Sequence, residues 1–173
     1  MNVLLVSSRP RLTAEVTTAL VDDDRVEVTE VRSPKRAVAL LDEWADEGGE
    51  PFDVVVADND TQPTGGFYLA RELKARTRMG RPTPPVVLLV GRPQDEYLAR
   101  WSEADVWVVK PVDPFDLAEV VESLAAGTPV PALPGVRTLA ELGPVKAAGQ
   151  PGELPEPQIA GRHELHRGHT TQR

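Results

Sequence analysis

The chain has 173 residues, 40% of them hydrophobic, and a formal net charge of −8, enough for one domain with a real core plus an appendage. It has no cysteine, which excludes disulfides, thiol nucleophiles and cysteine metal sites. No apolar run approaches the roughly 18 residues of a membrane span, and the N-terminus lacks the basic start of a signal peptide, so the expectation is a cytoplasmic protein without a membrane span.

The first strand is Asn2–Val6, a continuous apolar run suited to burial on both faces. Pro10 opens a helix with Leu12, Val16, Ala19 and Leu20 at helical spacing, closed by the acidic run at 22–24. A shorter strand, Val26–Val31, carries Glu27 and Glu30 as an edge strand does. Ser33-Pro34 starts the second helix with a capping hydroxyl and a proline at the first position; Ala37, Leu40, Leu41 and Trp44 form one face, and glycines at 48 and 49 stop it. The third strand is Asp53–Ala57. Gly65-Gly66 precedes a helix with Phe67, Ala70 and Leu73 on one side, and Met79–Pro85 is a loop. The fourth strand is Val86–Val90. A helix over about 94–102 is anchored by Tyr97, Leu98 and Trp101 alone. The fifth strand is Val106–Val109, and Asp113-Pro114 caps a last helix with Leu117, Val121 and Leu124 inward.

Five strand–helix units with short connections predict an α/β fold, a doubly wound five-stranded parallel sheet in a three-layer sandwich, flavodoxin/CheY-like with strand order 2-1-3-4-5. This domain spans residues 1–126, with 14 Lys/Arg against 23 Asp/Glu. Residues 127–173 carry 5 against 4, with 7 Pro and 7 Gly in 47 residues and little apolar periodicity, and read as a flexible tail. No cluster of Lys and Arg suits nucleic acid. All three histidines, His163, His166 and His169, fall in the tail, so the globular part holds neither a Ser-His-Asp triad nor a histidine metal site. The tail histidines and the acidic run at 22–24 are weak metal candidates.

In a parallel sheet of this kind ligands and chemistry sit beyond the carboxyl ends of the strands. Here that places Ser7, Ser8, Asp58, Val90 and Lys110 together: one carboxylate, one amine, and no second acidic cluster for a metal. No P-loop and no GxGxxG motif follows the first strand.

These residues resemble the receiver domain of two-component response regulators over about 1–126. The apolar run ending in Asp58 resembles the family's third strand and phosphoacceptor. Gly66, eight residues on, resembles the glycine opening the third helix. Trp107-Val108-Val109-Lys110-Pro111 resembles the fifth-strand motif, whose Lys-Pro bond is usually cis. The resemblance implies phosphoryl transfer to Asp58, not an enzyme, with a divalent metal, normally Mg²⁺, offsetting charge repulsion and held by two acidic residues after the first strand.

The chain departs from that pattern. Ser7 and Ser8 stand at the acidic-pair positions, where they read as turn or capping residues. Metal affinity is expected to be weak, with Asp58 and Asp60 the remaining candidates, and no cofactor is assigned. Val90 replaces a Ser or Thr that binds phosphoryl oxygens. Pro63 comes five residues after Asp58 rather than four. Trp107 stands for a Tyr or Phe whose ring moves on activation, and its bulk fixes one rotamer. The expectation is a site locked by an Asp58–Lys110 ion pair.

The resulting reading is an atypical stand-alone response regulator that acts as a phosphate-independent interaction module. Its partner would bind the family's fourth-helix, fifth-strand, fifth-helix face through Tyr97, Trp101 and Trp107; a histidine kinase and a homodimer are further partner readings. Two alternatives are a conventional receiver phosphorylated at Asp58 and a flavodoxin-like ligand-binding protein or enzyme.

Overall fold

The computed structural model describes residues 1–21, 25–48 and 51–145. The acidic run at 22–24, the glycine at 49 and the three tail histidines lie outside the described residues.

Six strands make one sheet in the order β2-β1-β3-β4-β5-β6. They are β1 (Asn2–Val6), β2 (Glu27–Val31), β3 (Val54–Asp58), β4 (Val86–Val90), β5 (Val106–Val109) and β6 (Val136–Thr138). The first five are mutually parallel. The central strands β1, β3 and β4 are almost wholly apolar and buried, as strands covered on both faces must be. The outer strand β2 keeps its glutamates toward solvent.

The helices are α1 (Pro10–Leu20), α2 (Pro34–Glu47), α3 (Gly65–Arg78), α4 (Glu96–Ser102), α5 (Pro114–Ala125) and α6 (Leu139–Leu142). The sheet splits the core in two. Leu4, Val6, Val55, Ala57, Leu88 and Trp107 pack toward α2, α3 and α4. Val3, Leu5, Val54, Val56, Leu89 and Val106 pack toward α1 and α5. This is the three-layer CheY-like sandwich. The capping chemistry holds too: Ser33 Oγ accepts from the Arg36 amide, and the Asp113 carboxylate accepts from the Phe115 and Asp116 amides.

Two expectations are corrected. The chain does not leave the fold at residue 127. Val136–Thr138 forms a sixth strand, antiparallel to β5, with Val106 opposite Thr138 and Val108 opposite Val136. Three residues are too few for periodicity to register, and the surrounding prolines and glycines read as a linker. The glycine content serves a turn instead, since Gly135 enters β6 at φ +72°. Val136 and Thr138 are buried, while Arg137 between them is exposed, which is the alternation of a half-buried strand.

The second correction concerns α4. Its supposed anchors Tyr97, Leu98 and Trp101 are 59%, 42% and 44% exposed. The buried positions of α4 are instead Ala99 and Ser102, small side chains that let this short helix pack beside α3.

Candidate functional site

The site forms where β1, β3, β4 and β5 end side by side. Asp58, the last residue of β3, is fully buried. Lys110 follows β5 directly and accepts its place through the backbone: its amide donates to the Val90 carbonyl at 2.8 Å. The register therefore sets the ammonium over the end of β3. Lys110 Nζ lies 2.8 Å from Asp58 Oδ1 and 2.8 Å from Asp60 Oδ2. The anticipated Asp58–Lys110 ion pair is present, with Asp60 as a second partner of the same ammonium.

Asp58 has further donors. The Asp60 amide donates to Oδ1 at 3.1 Å, closing a local turn, and Ser7 Oγ donates to Oδ2 at 3.3 Å. Both oxygens of the buried carboxylate thus have partners, as burial of a charge requires. Ser7 is itself buried and also accepts from the Arg9 amide at 3.1 Å, the turn chemistry expected of it. Ser8 is exposed and stands apart from Asp58, in the groove between α1 and the end of β2. Val90 is fully buried in the core. The Lys110–Pro111 peptide bond is cis, and so is Gln62–Pro63.

Arg9 is the member that motif reading missed. Its guanidinium pairs with Asp60 at 3.0 Å, so Asp60 bridges Arg9 and Lys110. The available signal was position: Arg9 immediately follows the serines at the end of the first strand. The Asp60 carboxyl is held below its usual value, first by the hydrogen bond from Lys110. Burial opposes this, and the charges of Lys110, Arg9 and Arg92 reinforce it. Asn59, also unforeseen, accepts from the Phe67 amide at 3.3 Å and fastens the loop to the first turn of α3.

The strand-end site offers few carboxylates to a divalent metal. A hard cation needs several oxygen ligands, with carboxylates prominent. Among the described residues the carboxylates paired at this point are Asp58 and Asp60, and one ammonium engages both. Among the described residues no group of three or more His, Cys, Asp or Glu side chains is placed to hold a metal ion.

Trp107 corrects the expected partner face. It is 1% exposed, pointing into the α2–α3–α4 side of the core, so it cannot serve as a surface anchor. Tyr97 and Trp101 are outside, and the Arg71 guanidinium sits 5.2 Å over the Trp101 ring.

The fold is that of CheY-like receiver domains. The receiver domain of a Syntrophus aciditrophicus signal transduction histidine kinase superposes with TM-score 0.60 and 25% identity, covering 77% of this chain and 98% of that one. The chemotaxis response regulator CheY4 of Vibrio cholerae matches with TM-score 0.56 and 21% identity, covering 71% and 97%. A beryllofluoride-activated DrrB receiver domain matches with TM-score 0.56 and 20% identity, covering 72% and 97%. In sequence, response regulatory proteins of two Mycobacterium tuberculosis strains, CDC 1551 and H37Rv, both named as uncharacterized, are each 42% identical over 79 residues. That stretch is 46% of this chain and 56% of each relative, so the match spans little more than half the length of the curated relatives. No protein-family model matches the chain. Among the described residues no helix is long and apolar enough to cross a membrane.

Proposed function

We propose that this chain is a response regulator receiver of two-component signalling in which the strand-end site is held shut, and that it works by protein contact without needing a phosphoryl group. The observation that supports this most is Lys110 bound to both Asp58 and Asp60 at 2.8 Å, with serines where the resemblance calls for a metal-holding acidic pair. A phosphoryl group arriving at Asp58 would meet a carboxylate already satisfied by Lys110, Ser7 and the Asp60 amide. It would also find no hydroxyl at Val90 to bind its oxygens.

Output then rests on exposed surface. Tyr97, Leu98 and Trp101 put three large apolar side chains on one short helix, with Arg71 stacked beside them. Aromatic residues and arginine are the side chains that most often dominate protein contacts. The partner on this reading is another signalling protein of the cytoplasm, a histidine kinase among the candidates.

Intact-mass measurement after incubation with acetyl phosphate and Mg²⁺ tests the proposal, with Asp58→Asn as control. No mass gain in the wild-type chain is expected. Addition of one phosphoryl group to wild type, absent from Asp58→Asn, would restore the conventional receiver and overturn the locked-site reading.

A further inference from the structure

The outer edge of β5 is not open. A parallel sheet ending at β5 would present Val106, Trp107, Val108 and Val109 with a free row of amides and carbonyls, an edge that invites pairing with another chain. The chain fills that edge itself. The Val109 amide donates to the Gly135 carbonyl at 2.9 Å, and the Leu139 amide donates to the Asp105 carbonyl at 2.9 Å. Between these points β6 runs antiparallel to β5. Val136 enters the core on the α1–α5 side, and Leu139 packs on the other side, on the cluster that holds Trp107. Arg100 of α4 then clamps the end, donating to the carbonyls of Gly143 and Leu142 at 3.0 and 3.1 Å.

This cover is light. Only Val136 and Thr138 are buried among residues 127–145. The strand has three residues and the helix after it four. The connection from α5 contains Pro129, Pro131 and Pro134, which have no amide to donate. Gly127 and Gly135 bound it at positive φ.

We infer that the β5 edge is a docking site for an extended protein segment, and that residues 136–139 are its resident occupant. A partner takes the edge by strand addition, with main-chain hydrogen bonds for affinity and alternate side chains for selection. The resident segment defines the chemistry of the incoming one: an apolar or β-branched residue, an exposed residue, a second β-branched residue, then a large aliphatic, antiparallel to β5. Such docking is independent of phosphorylation at Asp58, so it stands or falls apart from the locked-site reading.

The test uses the full chain and a fluorescent peptide of its own residues 131–144 supplied in trans. In Arg100→Ala and in Arg100→Ala/Leu139→Ala the resident segment is loosened, which should show as faster hydrogen exchange at the Val109 and Leu139 amides. The peptide should bind the double variant about tenfold or more tightly than wild type, because a resident occupant scales apparent affinity down to the fraction of molecules with an open edge. A peptide with aspartate at the positions of Val136 and Leu139 should not bind. Dimers formed by exchange of this segment between copies would be the same event with a second chain as donor. Three results overturn the inference: a loosened edge that takes no peptide, unchanged exchange in both variants, or global unfolding of the single variant. The last two would make β6 a fixed part of the core.

Discussion

Lys110 answers two carboxylates with one charge, and the consequences of removing it follow from their burial. Asp58 is fully buried, whereas the Lys110 side chain keeps 13% of its surface and Asp60 38%. Without Lys110, Asp58 retains the Ser7 hydroxyl and one amide but no counter-charge. Lys110→Met should therefore cost about 3–5 kcal/mol, the range for orphaning a buried charge. Adding Asp58→Asn should recover much of the loss, because a neutral amide tolerates burial better. Urea unfolding of the two single variants and the double variant checks this; simple additivity would show that the pair is not coupled. Asp60 behaves differently because it is half exposed. Its carboxyl is lowered in the folded chain, chiefly by Lys110. A lowered carboxyl contributes stability above the unfolded carboxylate value, and that contribution is lost as pH falls through the folded value. Wild type should thus lose stability below about pH 4, and Asp60→Asn should remove part of that slope. Urea midpoints from pH 7 to pH 3 decide it, since parallel curves would contradict the assignment.

At the scale of elements, the chemistry of the turns decides how well the sequence could be read. The apolar runs of β1, β3, β4 and β5 announce burial on both faces, and Ser33-Pro34 and Asp113-Pro114 mark two helix starts, so these elements fell where expected. The Asp58–Lys110 pair was legible for the same reason, since strand ends locate side chains to within a residue. The packing of α4 differs from expectation because large apolar residues usually face inward, while here Ala99 and Ser102 do. Arg9 escaped because nothing in a sequence shows which carboxylate an arginine will find. The β3–α3 loop offers a test at this scale. Gly65 opens α3 at φ +74°, and a Cβ there would stand 2.7 Å from the Asn59 carbonyl oxygen. That oxygen is backbone and has little freedom to withdraw. Gly65→Ala combines a left-handed conformation with overpacking, and should destabilise by about 1–3 kcal/mol. Because Asn59 sits next to Asp58, the same variant should shift the amide resonances of Asn59 and Asp60. A fall in stability without those shifts would place the strain elsewhere.

At the scale of the whole molecule, the sixth strand changes what counts as the domain. Composition separates an acidic residue range 1–126 from a Pro/Gly-rich remainder, yet the hydrophobic core does not respect that division. Val130, Leu133 and Val136 pack with α1 and α5 on one face of the sheet, and Leu139 packs with Trp107 on the other. Residues past 126 therefore contribute to both layers of core, and they cover the one strand edge that is apolar along its whole length. A chain ended at residue 126 would lose the burial of Val136, about 1.5–3 kcal/mol for a fully buried aliphatic side chain, along with the main-chain bonds to Asp105 and Val109. It would also uncover Trp107 and the β5 edge together. The expected outcome is a lower urea midpoint, a red-shifted tryptophan emission, and self-association that grows with concentration in sedimentation velocity. The open β2 edge is an internal control, because its glutamates repel pairing in both chains. A truncated chain that stays monomeric with unchanged emission would mean that Trp107 is covered by α4 alone, and that β6 adds nothing to the sheet it borders.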